Sequence, residues 1–270
     1  LIVSSSSKDL ETFPEQIAST TTEVQTFDLL TIGGEAMLTI RTSYTGNDAD
    51  YQRGEFARNS AETVQKNYQD YYANLYPDIT KWEDLSVDDD RKDNVLIVQE
   101  KYKIPSFWKP SESDPQIMRC EVYPQTMEGY FNVSKSILRT GPYRLSYPVD
   151  YYHHVHLHLP EDWNIQAEDE VIETDFYQYE REVKLVGKEI SRFTHYKTKS
   201  NHIPSSHFEK FVADHDKMMD NLSYQLTYNK TIAEAGSSKT PGLIVTIISL
   251  IVSAYLVFVL YKKYNPKPEL

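Results

Sequence analysis

Apolar and polar residues alternate through much of residues 21–228, and this period of two is the pattern of half-buried β-strands. The first alternating segments flank Gly33–Gly34, a dipeptide that tolerates the positive φ angles of a tight turn. The pattern therefore predicts a hairpin over 22–46, followed by strands over 82–87, 94–104, 147–160, 171–185, 190–199 and 224–228.

Two segments change to the helical period of three or four residues. The first begins at Asn47 or Asp48, either of which can cap a helix, and Pro77 ends it. The second runs from Ser206 to Leu222, and Ser206 and Glu209 have the spacing of a capping box. The predicted buried stripes are Phe56, Ser60, Val64, Tyr68, Tyr71 and Leu75 in the first helix, and Phe208, Phe211, Val212, Met218, Met219 and Leu222 in the second.

The order of these elements predicts a mainly β fold. Repeated strand–helix–strand units are missing from the pattern, so it favours an antiparallel β-sandwich, jelly-roll-like, with two decorating helices. Residues 106–130 fit no single element: Trp108 and Pro110 indicate a loop, and 117–130 is compatible with strand or helix.

One run near the end is apolar without alternation. Residues 242–261 contain no charged side chain, and a helix of this length spans the hydrocarbon core of a bilayer. We predict a transmembrane helix over 241–261, with a fully buried helix of a soluble domain as the alternative. The remaining chain then divides into a connector (1–20), a β-sandwich domain (21–228), a linker (229–240) and a cytoplasmic tail (262–270).

Lysines set the predicted orientation. Lys262, Lys263 and Lys267 follow the apolar run, whereas only Lys239 lies close before it, so the positive-inside rule places residues 1–240 outside the cytoplasmic membrane, in the periplasm or beyond. A tail-anchored protein that faces the cytosol is the alternative. The chain opens with LIVSSSS, which is too short and too uncharged for a signal peptide, so we expect an export signal upstream of Leu1.

Charge and cysteine content narrow the function classes. Residues 1–240 carry 25 Lys+Arg (28 minus three) and 39 Asp+Glu (40 minus one), a net charge of −14 that argues against nucleic acid as a partner. A single cysteine, Cys120, forms no internal disulfide and excludes paired-cysteine metal motifs. An exported domain without disulfides is more typical of bacteria than of the animal secretory pathway.

The sharpest candidate for chemistry is a histidine-rich strand. In a strand, His154, His156 and His158 point to one face, and imidazoles are common zinc ligands. Side chains two residues apart on one strand are about 6.6–7 Å apart, which disfavours convergence of all three on one ion. The competing interpretation is a strand with its aliphatic face on the core and its imidazole face toward solvent or a helix.

Other chemical signals are weak. Arg119 and Glu121 flank Cys120 and roughly cancel, so the pattern predicts a buried thiol and no activated nucleophile. The acidic stretch 88–93 lacks the glycine and the distal glutamate of a calcium loop, which favours a solvated strand connection. HExxH, GxSxG, P-loop and GxGxxG motifs are all missing, and the sequence indicates neither a cofactor nor an obvious enzyme.

Four runs resemble the C-terminal region of large bacterial exported proteins built around a transglutaminase-like domain. They are SYTGNDADYQRGEFARNS (43–60), YQDYYANLYPDI (68–79), EKYKIPSFW (100–108) and LSYPVDYYHHVHLHLPEDW (145–163). In that family an N-terminal β-domain of unknown function precedes a papain-like core, and a second β-domain follows. The resemblance spans residues 20–228 and implies a β-domain that follows the catalytic core in the envelope. Cys120 lies outside the family's helix-start nucleophile setting, so no catalytic role is carried over to it.

Together these features predict a non-catalytic, membrane-anchored accessory β-domain. Its expected partners are the lipid bilayer, through 241–261, and an upstream transglutaminase-like domain that it positions. The alternatives are a module that binds an envelope polymer or protein, on the strength of its many Tyr and Trp residues, and a metal site at His154, His156 and His158.

The membrane prediction has a direct test. Because twenty uncharged residues partition into hydrocarbon, the full chain should stay in the membrane pellet after alkaline carbonate extraction and enter detergent. A variant that lacks 241–261 should appear in the supernatant. Release of the intact full chain by carbonate alone contradicts the prediction.

Overall fold

A computed structural model describes residues 19–131, 133 and 141–229. The strands are β1 Thr21–Leu29, β2 Ala36–Thr45, β3 Thr80–Asp90, β4 Val95–Ile104, β5 Lys109–Pro110, β6 Ile117–Val122, β7 Tyr143–Arg144, β8 Asp150–His158, β9 Glu168–Glu173, β10 Tyr177–Val186, β11 Glu189–Thr198, β12 His202–Ile203 and β13 Tyr224–Asn229. The helices are α1 Gly46–Arg58, α2 Ala61–Ala73, α3 Gln125–Phe131 and α4 Phe208–Asp220, and a 3₁₀ turn at Ser205–His207 precedes α4.

Eight strands form one large sheet in the order β3-β4-β2-β1-β8-β11-β10-β9. The prediction of a mainly β fold is confirmed, but the all-antiparallel prediction is wrong, because β1 and β8 pair in parallel from Thr21↔Tyr151 to Asp28↔His158. Parallel neighbours need a long crossover connection, and β2 to β7 lie between these two strands in the chain. The sheet is therefore mixed.

The predicted hairpin is confirmed. Strands β1 and β2 pair from Thr21↔Tyr44 to Leu29↔Ala36, so that Phe27 lies opposite Leu38. The connecting turn contains Gly33 at φ +80°, a left-handed conformation that favours glycine.

The prediction of two helices is wrong, since the described residues contain four α-helices. The first predicted helix breaks into α1 and α2, because Asn59 adopts an extended conformation and its amide donates to the Glu55 carbonyl at 3.2 Å. Ser60, predicted on a buried stripe, instead caps α2, where its Oγ accepts from Thr63 N at 3.2 Å. Helix α1 begins at Gly46, one residue before the predicted caps, and Thr45 precedes it.

The second predicted helix is confirmed as α4, but its predicted capping box is wrong. Ser206 lies in the 3₁₀ turn, and α4 follows His207 without a side-chain cap. The predicted stripe is largely buried, and His215 joins it. The unassigned segment 106–130 forms β5, β6 and most of α3, and the predicted strand over 171–185 is divided between β9 and β10.

The hydrophobic core lies on one face of the large sheet. Three clusters of buried side chains include residues of the large sheet such as Phe27, Leu38, Leu157 and Tyr179. By strand register, all the residues that the large sheet contributes to the clusters share that face. The helices and a small sheet with the strand order β13-β6-β5 complete the clusters as a second layer. We call the face of the large sheet that carries the core the covered face.

The predicted membrane segment, 241–261, lies outside the described residues. Among the residues that are described, none of the helices is long and apolar enough to cross a bilayer.

Candidate functional site

The opposite face of the large sheet carries the predicted histidines. Along β8, buried residues alternate with half-buried or exposed ones, and His154, His156 and His158 fall on the side away from the clusters. Val155 and Leu157 point into the core as predicted, and so does His153. The neighbouring strand β11 adds Phe193 and His195 to the same side, since Phe193 pairs with His154 and His195 with Tyr152. We call this surface the histidine face; its residues are Tyr152, His154, His156, His158, Phe193 and His195.

Two of the predicted histidines contact carboxylates. His156 Nδ1 lies 2.6 Å from Glu189 Oε1, and His158 Nδ1 lies 2.6 Å from Asp28 Oδ1. A longer contact of 3.7 Å joins His158 Nε2 to Glu189 Oε2. Within residues 19–131, 133 and 141–229, no group of three or more His, Cys, Asp or Glu side chains is arranged to hold a metal ion. These imidazoles form a row of imidazole–carboxylate contacts across β1, β8 and β11.

Stacked rings form the other half of the histidine face. The Tyr152 and His195 rings are parallel within 6°, with their centroids 4.0 Å apart, and His195 Nε2 lies 2.7 Å from Asp150 Oδ1. His154 lies against Phe193 at 5.0 Å between centroids. Burial, and then the neighbouring His156, lower the pKa of His154, so that its ring is neutral at pH 7. The result is a patch of aromatic rings beside a row of imidazole–carboxylate contacts.

The other candidates from the sequence have no site geometry. Cys120 is buried in the largest cluster, and burial raises the pKa of its thiol, which disfavours the nucleophilic thiolate. The prediction that the acidic stretch 88–93 is a strand connection is only partly correct, because Asp88–Asp90 pair with β4 as the end of β3 and the turn occupies 91–94. Asp90 Oδ1 accepts the backbone N–H groups of Lys92 and Asp93 at 2.9 and 3.1 Å, and Asp89 pairs with Arg53 at 2.7 Å.

A second set of polar side chains lies on the covered face and was missed in the sequence. This polar seam crosses the sheet through the core; its residues are Glu23, Gln25, Glu100, His153, Arg181, Arg192 and Thr194, each at most 6% exposed. Register aligns Glu23, His153, Thr194 and Arg181 in one row across four strands. Alternation alone gave no signal for it, because both faces of these strands carry polar residues.

The acidic end of the polar seam holds hydrogen-bonded carboxyl groups. Tyr151 donates to Glu23 Oε2 at 2.6 Å, Gln25 donates to Glu23 Oε1 at 2.6 Å, and Tyr102 donates to Glu100. Burial raises the pKa of Glu100 to about 8 against the lowering effect of Tyr102, and burial also raises the pKa of Glu23. Glu100 is therefore protonated at pH 7.

The basic end contains Arg181, Arg192 and His153. Arg181 Nη2 donates to Glu168 at 2.7 Å, while Arg192 is 1% exposed and its Nη2 donates to the Asn221 carbonyl at 3.0 Å. Burial lowers the pKa of Arg192 to about 10, and burial together with the Arg192 charge lowers the pKa of His153 well below its usual value. Arg192 is charged and His153 is neutral at pH 7.

Glu100 makes stability depend on pH. Its folded-state pKa is raised, so the folded protein retains a proton that the unfolded chain loses above pH 4.5, and stability falls between pH 4.5 and 8. Glu100→Gln should remove this part of the decline, so that the variant gains free energy of unfolding relative to the parent as pH rises. Urea unfolding at pH 4.5, 6 and 8 measures it.

The matched control for that experiment is Glu161→Gln, at an exposed loop position. It should follow the parent at all three pH values. If Glu100→Gln also follows the parent, the carboxyl group is ionised in the fold and the description of the polar seam is wrong.

Neither protein-family models, curated proteins nor solved structures give a match to this chain. The resemblance to transglutaminase-like proteins therefore stays a prediction. The two faces of the large sheet are the basis for any functional proposal.

Proposed function

We infer that this chain is a non-catalytic, membrane-anchored accessory β-domain. In this proposal it follows a transglutaminase-like catalytic domain in the bacterial envelope and positions it near the outer face of the cytoplasmic membrane. We propose that the fold is a jelly-roll-like β-sandwich, in which the small sheet β13-β6-β5 forms the second layer. Tethering keeps the catalytic domain and its envelope substrates at a high effective concentration.

The observation that supports this proposal is the division of the large sheet into two unlike faces. Every residue that the large sheet contributes to the three clusters lies on the covered face. The histidine face instead presents stacked rings with imidazole–carboxylate contacts beside them. Aromatic centres with polar rims are typical of protein interfaces.

Rigidity makes the histidine face suitable for positioning a partner. Its side chains stand on adjacent long strands, β8 and β11, which pair over nine residue pairs. The ring stack of Tyr152 and His195 and the bond from His195 to Asp150 hold two of these side chains in place. A pre-organised surface loses little conformational entropy on binding, which favours stable orientation of an attached domain.

The buried thiol agrees with a non-catalytic role. Nucleophilic cysteines are exposed to substrate and have a lowered pKa, whereas Cys120 is 3% exposed and its pKa is raised. Its side chain packs among the apolar residues of the largest cluster.

A groove of about 410 Å³ supports a second candidate, a module that binds an envelope polymer or protein. Tyr76 and Phe107 line it together with Lys109 and Arg119, which lie directly opposite each other on β5 and β6. Glu112 and Glu121 line the same groove, so it offers both cations and carboxylates to a polar ligand. Of the three tryptophans that could stack on sugars, Trp108 and Trp163 are buried in the core, whereas Trp82 is 56% exposed.

Docking on the histidine face is testable by adding the purified upstream domain to this chain. Tyr152→Ser combined with Phe193→Ser removes the aromatic centre and should weaken association with the upstream domain at least tenfold. The measurement is binding of the separately purified upstream domain to the chain in detergent. Val186→Ser, at a 70% exposed position on the end of β10, is the matched control and should bind like the parent.

Two results contradict the proposal. One is unchanged binding of the double variant while the control also binds. The other is a reading frame upstream of Leu1 that encodes neither an export signal nor a Cys–His–Asp core. If the domain binds through the groove, Arg119→Ser reduces binding and the double variant does not, which favours the second candidate.

A further inference from the structure

The basic end of the polar seam holds several buried donors without acceptors. Within the residues that the structure describes, Arg192 Nε and Nη1, Arg181 Nε and Thr194 Oγ1 are buried without a hydrogen-bond partner, and so are both ring nitrogens of His153, of which one carries the N–H of the neutral ring. Arg192, Thr194 and His153 are at most 1% exposed. Most buried polar groups in proteins are paired, so such a group of unpaired donors at one place indicates a missing acceptor.

The unpaired donors belong to neighbouring positions on three strands. Thr194 pairs with His153 on one side and with Arg181 on the other, and Arg192 precedes Thr194 by two residues on the same face of β11. Arg192 pairs with Val155, two residues from His153 on the same face of β8, so the side chains of Arg192 and His153 are diagonal neighbours. The Tyr179 hydroxyl, two residues from Arg181 along β10, is also buried without a partner.

At this end of the polar seam, one cationic side chain, Arg192, has no carboxylate partner among the described residues. Arg181 pairs with Glu168, and Lys217 pairs with Glu170. Within the described residues, Arg192 makes no ion pair with a carboxylate, and its one hydrogen bond goes to the Asn221 carbonyl. The nearest seam carboxyl group toward β1, Glu23, lies 3.8 Å from His153, and its oxygens already accept from Tyr151 and Gln25.

A buried guanidinium keeps its proton, so the charge of Arg192 needs an external balance. We propose that Arg192, with Thr194 and His153, binds one small monovalent anion such as chloride inside the polar seam. The neutral His153 ring donates its one N–H, and the hydroxyl of Thr194 donates a second hydrogen bond. Complete burial of these side chains favours a single ion over an organic anion.

The experiment uses the full chain in detergent micelles at constant ionic strength. Sodium gluconate, whose anion is much larger than chloride, is replaced stepwise by sodium chloride. Because a ligand that binds the folded state stabilises it, Tm should rise by about 3–6 °C at a chloride concentration roughly ten times Kd. The ³⁵Cl NMR line of added chloride should broaden, and added bromide should reverse the broadening.

Arg192→Met removes the charge with little change in volume and should abolish both effects. Arg41→Met is the matched control, because Arg41 is exposed on β2 and points to the opposite face of the large sheet. It should respond to chloride like the parent.

Equal Tm in gluconate and chloride, with no ³⁵Cl broadening in the parent, overturns the proposal and leaves buried water as the acceptor. A chloride response that persists in Arg192→Met overturns it as well. If Arg192→Met does not fold, the displacement of ³⁵Cl broadening by bromide in the parent decides the question, since it needs no variant.

Discussion

An eight-stranded sheet has two faces, and in this protein the hydrophobic clusters lie on only one of them. That burial is the constraint on which the rest of the structure depends. It fixes the register of every strand, because a shift by one residue would move a strand's apolar side chains to the opposite face. It also determines the composition of the opposite face, because the residues that alternate with the buried ones point there, including those of the histidine face.

The covered face combines apolar clusters with a costly polar seam. Burying unpaired polar groups is unfavourable by about 1–3 kcal/mol each, so the seam is not explained by stability alone. At its acidic end the cost is reduced by proton uptake, because Glu100 is neutral at pH 7 and accepts from Tyr102. At its basic end Arg192 stays charged, and an anion balances it in our proposal. The cost of burying charge is thus reduced by protonation at the acidic end and by a bound anion at the basic end.

Local patterns predicted the elements better than their arrangement. The hairpin, β4, β8 and α4 followed from periodicity because each has one buried face along its own length. The break at Asn59 depends on a side-chain bond to the backbone, which the helical period hides. The parallel pairing of β1 with β8 joins residues 130 positions apart, such as Thr21 and Tyr151, and has no local signal.

The same limit applies to the candidate site. His154, His156 and His158 were placed on one face by alternation, but their partners Asp28 and Glu189 come from β1 and from the start of β11. Knowledge of strand order is needed to find Phe193 and His195 beside them. The polar seam is still harder to predict from sequence, because arginines such as Arg181 and Arg192 are usually exposed and only the clusters show that their side of the sheet is buried.

Histidine modification by diethyl pyrocarbonate tests the division of the two faces most directly, because the reagent reacts with imidazoles that solvent reaches. In the isolated chain at pH 7, His156 and His158, with side chains 31% and 47% exposed, should be modified rapidly. His153 and His215, at most 1% exposed, should remain unmodified until the protein is unfolded. Rapid modification of His153 in the folded chain, or protection of both His156 and His158, would contradict the account.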